Sequence, residues 1–390
     1  MAAWAPCGAA VSAPDEKALA MKGEYTGAGR QLLGIWLTNA CNLRCTYCYI
    51  KEKSDLTIDF DKAIEIIHSQ LRQPGGILEV SFMGAEPLTR FDLIRRIVET
   101  ILAEDWPRPV CFSAATNGTL LTEEMKPWLV EHRDVLMLGL SYDGEDEAQD
   151  INRSGSSAAI DRDFFIETWP DQMWKMTISR DTAGRIDRDI IAMHERGMAF
   201  SANAAYEEQA WTEEQIGGYE LALYRLARYY ADHPDVQPCN LLYSRLDAVI
   251  CPEGERQPCY CSAGESFSFF DMQGRAYPCH MFSPMVLPEE RTLHGQFLPQ
   301  DTDYEDPRCS ACPLRGVCYT CMGTNYAYRG DLRKRDPMHC RLFMAQIRAS
   351  MYMMLLKAGR KTRYTQQDVR NMAAIRTLNE AFESGRIGME

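Results

Sequence analysis

The chain has 390 residues, of which 46% are apolar and 25% charged, with a formal net charge of −13. That composition is ordinary for a soluble globular protein, and the length suggests two domains of roughly 100–200 residues each. The acidic balance argues against a nucleic-acid partner, which usually demands a basic surface. No stretch approaches the ~20 apolar residues of a membrane-spanning helix. Met1 to Ala20 carry Asp15, Glu16 and Lys17 where a signal peptide needs an apolar core. A cytoplasmic protein with no membrane partner is therefore expected. Fifteen cysteines in such a chain need a reason. A disulfide framework does not suit a reducing compartment, and the count is odd, so metal ligation is the expected use.

Residues 1–30 are rich in Gly and Ala without a period and read as an irregular N-terminal extension. From Leu32 onward, short β-type runs alternate with helical ones. Strands are expected at Leu33–Thr38, Ile77–Met83, Val110–Ala115, Val135–Ser141, Lys175–Ser179 and Ala199–Asn203. Helices are expected between them at Asp59–Arg72, Arg90–Glu104, Thr122–His132, Asp161–Trp169 and Arg185–Arg196. In the first of these, Ile64, Ile66, Ile67 and Leu71 recur at helical spacing. Such alternation describes a parallel α/β sheet with helices outside. About six units fall short of an eight-stranded barrel, so the expected fold is α/β, a partial (β/α)6 parallel barrel over residues 31–235, closed by a long helix at Thr212–Tyr230.

After Pro238 the helical periodicity lapses, and Cys, Pro and Gly dominate as far as Cys340. So little apolar content builds no large core, and metal sites are expected to clip the segment together. This gives a second, cysteine-rich domain over 236–345. A helix at Arg341–Leu356 and a polar helical tail from Gln366 finish the chain, with residues 346–390 as the C-terminal part. Between Arg329 and Arg363, eight further Lys and Arg residues face only Asp331 and Asp336. They read either as a solvated helix face or as a dock for an acidic peptide or partner.

Cys41, Cys45 and Cys48 lie in one short loop just after the first strand, and in α/β barrels that end carries the active site. Three thiolates hold three irons of a [4Fe–4S] cluster and leave the fourth iron open for a non-protein ligand. Zinc is the alternative, but it prefers four ligands in paired CxxC spacing. The CxxxCxxC spacing, with Tyr47 before the last Cys, resembles the signature of radical S-adenosylmethionine (SAM) enzymes. In that family the open iron binds SAM, and one electron releases a 5′-deoxyadenosyl radical that takes hydrogen from substrate. Further segments resemble family motifs, each behind a predicted strand. Met83-Gly84-Ala85-Glu86-Pro87 is similar to GGEP, with Ala85 in place of the second Gly, and implies that Gly84 and Glu86 hold the SAM amino group. Asn117, in Thr116-Asn117-Gly118-Thr119, is implied to line the SAM pocket. Ser141 and Asp143, in Ser141-Tyr142-Asp143-Gly144, are implied to contact SAM, and Arg153 to pair with its carboxylate. The resemblance covers roughly Gln31 to Asp235.

Cys261, Cys279, Cys309, Cys312, Cys318, Cys321 and Cys340 are spaced in a way that resembles the SPASM twin-cluster domain of peptide- and protein-modifying radical SAM enzymes. The resemblance implies three [4Fe–4S] clusters in all. Cys261, Cys279 and Cys321 would hold the first auxiliary cluster, with Cys259, Cys251 or an open site as its fourth position. Cys309, Cys312, Cys318 and Cys340 would hold the second. A zinc ribbon over Cys309 to Cys321 is the alternative. Cys7, Cys111 and Cys239 stand alone and read as buried apolar residues.

Auxiliary clusters suggest an overall oxidation, giving a thioether, a carbon–carbon crosslink, an epimer or a formylglycine. The chain also resembles anaerobic sulfatase maturases, which place an Asp base directly after the Cys corresponding to Cys279. Here that residue is His280, the candidate proton acceptor, with a structural role beside Cys279 as the rival reading. The expected function is therefore modification of a precursor peptide or small protein. The residues before the first strand are too few for a leader-binding domain, so a separate leader-binding protein or the basic C-terminal segment is expected to present it. A flavodoxin- or ferredoxin-type protein is the expected electron donor. Formylglycine formation, small-molecule radical chemistry, RNA modification and a non-enzymatic electron carrier are the alternatives.

Overall fold

The computed structural model describes residues 29–206, 210–250, 261, 263–294 and 306–387. Cys7, Cys251 and Cys259, and all but the end of the N-terminal extension, lie outside the described residues. Contacts gather the chain into two units that interleave in sequence. One comprises Met1–Met176, Met198–Ser201 and Ser262–Pro299, and the other Thr177–Gly197, Ala202–Cys261 and Gln300–Glu390.

The strands are β1 (Arg30–Thr38), β2 (Ile77–Gly84), β3 (Val110–Thr116), β4 (Leu136–Leu140), β5 (Trp174–Ile178) and β6 (Phe200–Ala204), as the alternation of sequence runs predicts. β1 to β4 pair side by side in parallel. An isolated parallel bridge between Ser141 and Lys175 carries the row on to β5, which pairs with β6. This is the partial barrel of the α/β class. Helices α1 (Phe60–Leu71) and α2 (Phe91–Leu102) cover the first strands with Ile66, Ile67, Leu71, Ile94, Ile97, Val98 and Ile101, all buried. Asp59 fixes the start of α1 by accepting from the Asp61 and Lys62 amides, which otherwise lack partners in a first turn.

The free edge of β1 takes a strand that the sequence pattern does not announce. β7 (Phe267–Phe270), from the cysteine-rich segment, pairs with β1 in parallel, and β8 (Ala276–Tyr277) pairs with β7 antiparallel. The first unit therefore holds a six-stranded sheet in the order β4-β3-β2-β1-β7-β8. An uncovered sheet edge invites foreign strands, and β7 covers this one. The fit is close: a Cβ on Gly34 of β1 would stand 2.9 Å from the Phe269 ring and 3.0 Å from that of Phe267.

The first unit also holds α3 (Lys126–Glu131), α4 (Asp146–Asn152) and α5 (Arg162–Thr168), and the second holds, in chain order, α6 (Ile186–Glu195), α7 (Glu213–Asp232), α8 (Met322–Arg329), α9 (Pro337–Gly359) and α10 (Gln366–Glu383). Thr212 and Gln215 form a reciprocal cap at the start of α7. Phe343, Ile347 and Met351 of α9 pack with Ala374, Ile375 and Leu378 of α10 and with Leu246, Val249, Leu314 and Val317. α7 and α9 run parallel, tied by Arg341 to Glu213, Arg348 to Glu220 and Arg360 to Asp232. Those arginines belong to the basic C-terminal segment, and the acids of α7 engage them. No helix among the described residues is long and apolar enough to cross a membrane.

Candidate functional site

In the first unit, the loop carrying Cys41, Cys45 and Cys48 is held by residues of the Thr116–Thr119, Ser141–Gly144 and Asn152–Gly155 motifs. Asn117 Nδ2 donates to Asn42 Oδ1 at 3.0 Å, and Asn42 Nδ2 donates to Thr119 Oγ1 at 2.7 Å. The Arg44 amide donates to Ser154 Oγ at 2.9 Å and the Thr46 amide to the Asn152 carbonyl at 2.9 Å. Lys53 Nζ donates to the Leu43 carbonyl at 2.7 Å. Tyr47 Oη donates to Asp143 Oδ2 at 2.6 Å, which Asn152 Nδ2 also reaches at 3.0 Å. Burial pushes the Cys45 thiol pKa up, with Arg153 pulling it down and Cys48 and Cys41 in the same electrostatic field. The three cysteines are thus neighbours in a pinned loop.

The segment after β2 docks on the end of β1. The Ala85 amide donates to the Thr38 carbonyl at 3.0 Å and the Glu86 amide to the Ala40 carbonyl at 2.9 Å. Gly84 has φ +136°, and a Cβ there would stand 2.1 Å from the Thr38 oxygen, so only glycine fits. Ser154 is the one non-glycine among the described residues with positive φ, so Ala85 lies at negative φ and tolerates its methyl. Glu86 is buried: Oε1 accepts from the Leu88 amide at 3.0 Å and Thr116 Oγ1 at 2.7 Å, and Oε2 from the Asn117 amide at 2.7 Å. Burial raises its pKa while these donors lower it. Each carboxylate oxygen has two lone pairs, so Oε2 keeps capacity for a cation.

Asp143 and Arg153 form a buried pair, with Arg153 Nε 3.0 Å from Oδ2 and a second nitrogen 3.1 Å from Oδ1. The Arg153 guanidinium also stands 5.4 Å above the Tyr47 ring. Ser141 is bridged to Lys175, whose carbonyl accepts from the Tyr142 amide at 2.9 Å. Lys175 escapes a motif search, although a lone cation in an apolar strand run is itself a signal.

Cys48 and Cys279 join one apolar cluster with Trp36, Phe267 and Phe269. His280 Nδ1 lies 3.5 Å from Cys279 Sγ, and its ring lies 5.6 Å from Tyr49 and 6.1 Å from Phe269 between centroids. Burial pushes its pKa down to about 4, so the imidazole is neutral at pH 7.

In the second unit, Cys309, Cys312, Cys318 and Cys340 line one cavity together with Arg335, Arg315 and His339. The buried Arg335 donates from its guanidinium to Cys318 Sγ at 3.2 Å, and its amide donates to Asp306 at 3.0 Å. Burial pushes the Cys309 thiol up to about 11 and the Cys318 thiol up to about 12, with Arg335 pulling both back. Metal binding there would release protons, since the thiolate is the ligand. Arg335 is also missed by sequence reasoning, hidden in a run of like charges. Cys261 and Cys321 belong to this unit and share the electrostatic surroundings of Tyr206. Cys111 and Cys239 are buried, and every described cysteine is a free thiol. Among the described residues, no three His, Cys, Asp or Glu side chains gather around a single-ion position.

Comparison with known proteins accords with this geometry. Residues 35–162 match the radical SAM superfamily. The chain carries a radical SAM domain. Protein MJ0907 of Methanocaldococcus jannaschii is 32% identical over 136 residues, covering 34% of this chain and 46% of that protein. A cysteine-type anaerobic sulfatase-maturating enzyme of Clostridium perfringens is 30% identical over 125 residues, or 30% of this chain and 33% of the enzyme. The chain thus spans less than half the length of these curated relatives. Native anSMEcpe with bound AdoMet superposes with a TM-score of 0.63 at 16% identity, over 85% of this chain and 100% of the other, which establishes the shared fold. A radical SAM domain implies a [4Fe–4S] cluster and SAM, and a pinned three-cysteine loop beside Glu86 and Arg153 fits both.

Proposed function

We propose that this chain is a radical SAM enzyme that modifies a side chain of a precursor peptide or small protein, with an oxidative crosslink or thioether as the product. The observation that carries the reading is the convergence of the Asn117, Asn152, Asp143 and Ser154 side chains and backbone on the Cys41–Cys48 loop. When bound, the cluster and SAM supply a one-electron cleavage that leaves a carbon radical able to take hydrogen from substrate. The chain's own residues do the rest. Cys41, Cys45 and Cys48 are the ligands. Glu86 offers its remaining lone pairs to the SAM ammonium, Gly84 lets that backbone approach β1, and Asn117 and Ser141 border the same end of the strands. Tyr47 and Arg153 hold Asp143 and keep the loop in place.

Cys309, Cys312, Cys318 and Cys340 are proposed to hold a second cluster in their cavity, where the Arg335 charge suits an anionic occupant. A third, using Cys261, Cys279 and Cys321, completes the proposed set. Peptide modification is supported by the cysteine spacing and by the sulfatase-maturating relative. For His280, the aromatic enclosure favours support of Cys279 over proton acceptance. His280→Gln separates the two, because only an acceptor loses product at unchanged iron content.

The direct test is anaerobic reconstitution followed by reduction with dithionite in the presence of SAM. We expect about twelve irons per chain, four for each of three clusters, and release of 5′-deoxyadenosine. Stoichiometric zinc with about four irons would defeat the twin auxiliary sites. Four or more irons without any 5′-deoxyadenosine would support the electron-carrier alternative. A sulfatase-derived peptide converted to formylglycine would move the substrate reading to the maturase alternative.

A further inference from the structure

Arg333, Lys334 and Arg335 are consecutive bases in the run after Arg329, and of these only Arg335 is buried. Arg333 is exposed and pairs with Asp331. A guanidinium taken out of water is costly unless an anion or a strong acceptor faces it. Here a sulfur does: Arg335 Nη1 donates to Cys318 Sγ at 3.2 Å, in the cavity that Cys309, Cys312 and Cys340 also line.

The backbone of Arg335 is clamped from beside Cys309. Its amide donates to Asp306 Oδ2 at 3.0 Å, and its carbonyl accepts from Arg308 Nη2 at 3.3 Å. Arg308 Nε in turn donates to Asp306 Oδ1 at 2.9 Å, and Cys309 follows Arg308 directly. The guanidinium is therefore tied to the turn that carries one of the four cysteines. Arg308 and Arg315 line the same cavity, but Asp306 matches the charge of Arg308, and Arg315 is partly open to solvent. Among the described residues of that lining, Arg335 is the cation that combines burial with a sulfur contact.

A [4Fe–4S] cluster on four thiolates is anionic, and its one-electron reduction adds a further negative charge. A fixed cation and an N–H bond to a ligand sulfur stabilise the reduced form more than the oxidised one, and burial strengthens both effects. We propose that Arg335 raises the reduction potential of the cluster ligated by Cys309, Cys312, Cys318 and Cys340, so that this cluster holds an electron more readily. This rests on the reading that those cysteines carry a cluster. Arg335 acts through Cys318, and its role is read from a potential rather than from turnover.

The test is EPR-monitored reduction of full-length, anaerobically reconstituted protein at controlled potentials. The signal that disappears in Cys318→Ala with Cys340→Ala belongs to this cluster. In Arg335→Met its midpoint should fall by about 60–120 mV, a ten- to hundredfold shift of a one-electron equilibrium at about 59 mV per tenfold. Arg335→Lys keeps the charge without the planar fork and should recover part of the fall. Arg333→Met removes an exposed, paired charge and should leave the midpoint in place. An unchanged midpoint in Arg335→Met at full iron content overturns the inference. So does an equal fall in Arg333→Met, which would assign the effect to net charge. Should Arg335→Met lose about four irons, Arg335→Gln and Arg335→Lys enter the same comparison. An unchanged midpoint in both, or loss of the cluster from both, overturns the inference equally. Zinc in this cavity of the wild-type protein would instead remove the cluster reading itself.

Discussion

The two cysteine sites are built on opposite plans. The Cys41–Cys48 loop draws three cysteines from eight consecutive residues and is held by hydrogen bonds from outside, through Asn117, Asn152, Ser154 and Lys53. The second cavity draws four cysteines from residues 309–340 and encloses them with Arg335 and the α9 surface. A loop already pinned by its neighbours would gain little stability from the proposed cluster and could leave one iron open for chemistry. A cavity whose walls come from separate turns depends on its occupant to close them. The first plan separates ligation from folding; the second joins them.

The largest effect that tests this contrast is replacement of Cys41, Cys45 and Cys48 by Ala. We expect loss of about four irons and of all 5′-deoxyadenosine release, with the melting temperature nearly unchanged. Cys318→Ala with Cys340→Ala should also remove about four irons, yet lower the melting temperature by about 2–4 °C, as a loss of about 2–3 kcal/mol does in a chain of 390 residues. Equal melting temperatures for the two variants would erase the contrast.

Gly84→Ala comes next. Its methyl meets the Thr38 oxygen at a positive φ, so we expect a cost of about 2–3 kcal/mol and weaker SAM binding. Ala85→Gly, one residue on, should change stability by less than about 1 kcal/mol. Thermal melts of the pair check whether the glycine requirement resides at Gly84 alone.

The smallest effect concerns pH. Burial raises the Asp306 carboxyl, but the Arg308 and Arg335 donors outweigh it and hold it at about 2. A carboxylate depressed in the folded state adds stability above its usual pKa near 4 and loses it as the pH falls from about 4 toward 2. Asp306→Asn should therefore be less stable by about 1–2 kcal/mol at pH 7. The two proteins should converge in that acid window, and parallel denaturation curves from pH 7 to 2 would contradict this.

Much of the barrel was legible because its strands and helices alternate in long, strongly patterned runs. β7 and β8 were not, since four and two residues carry too little pattern. α4 escaped because Asp146 to Asn152 has only Ala148 and Ile151 as apolar residues and shows no period. The cysteines and SAM motifs were readable as local spacings. Lys175 and Arg335 were not, because their meaning depends on which face of β5, and which wall of a cavity, they occupy. The basic run after Arg329 was misleading for a related reason. Its balancing acids Glu213, Glu220 and Asp232 lie on α7, 128 residues earlier than Arg341, Arg348 and Arg360.

The pairing of β7 with β1 has a consequence for synthesis on the ribosome. β1 is complete at Thr38, but its edge partner begins at Phe267, about 230 residues later. At 5–20 residues per second, that is roughly 10–50 s during which the nascent chain shows an unpaired, apolar strand edge. Slower translation lengthens this window, and a chaperone that binds extended apolar segments shortens its danger. A truncated chain ending before Ser266 would keep the edge exposed permanently, so premature termination should yield aggregates rather than a soluble half-enzyme.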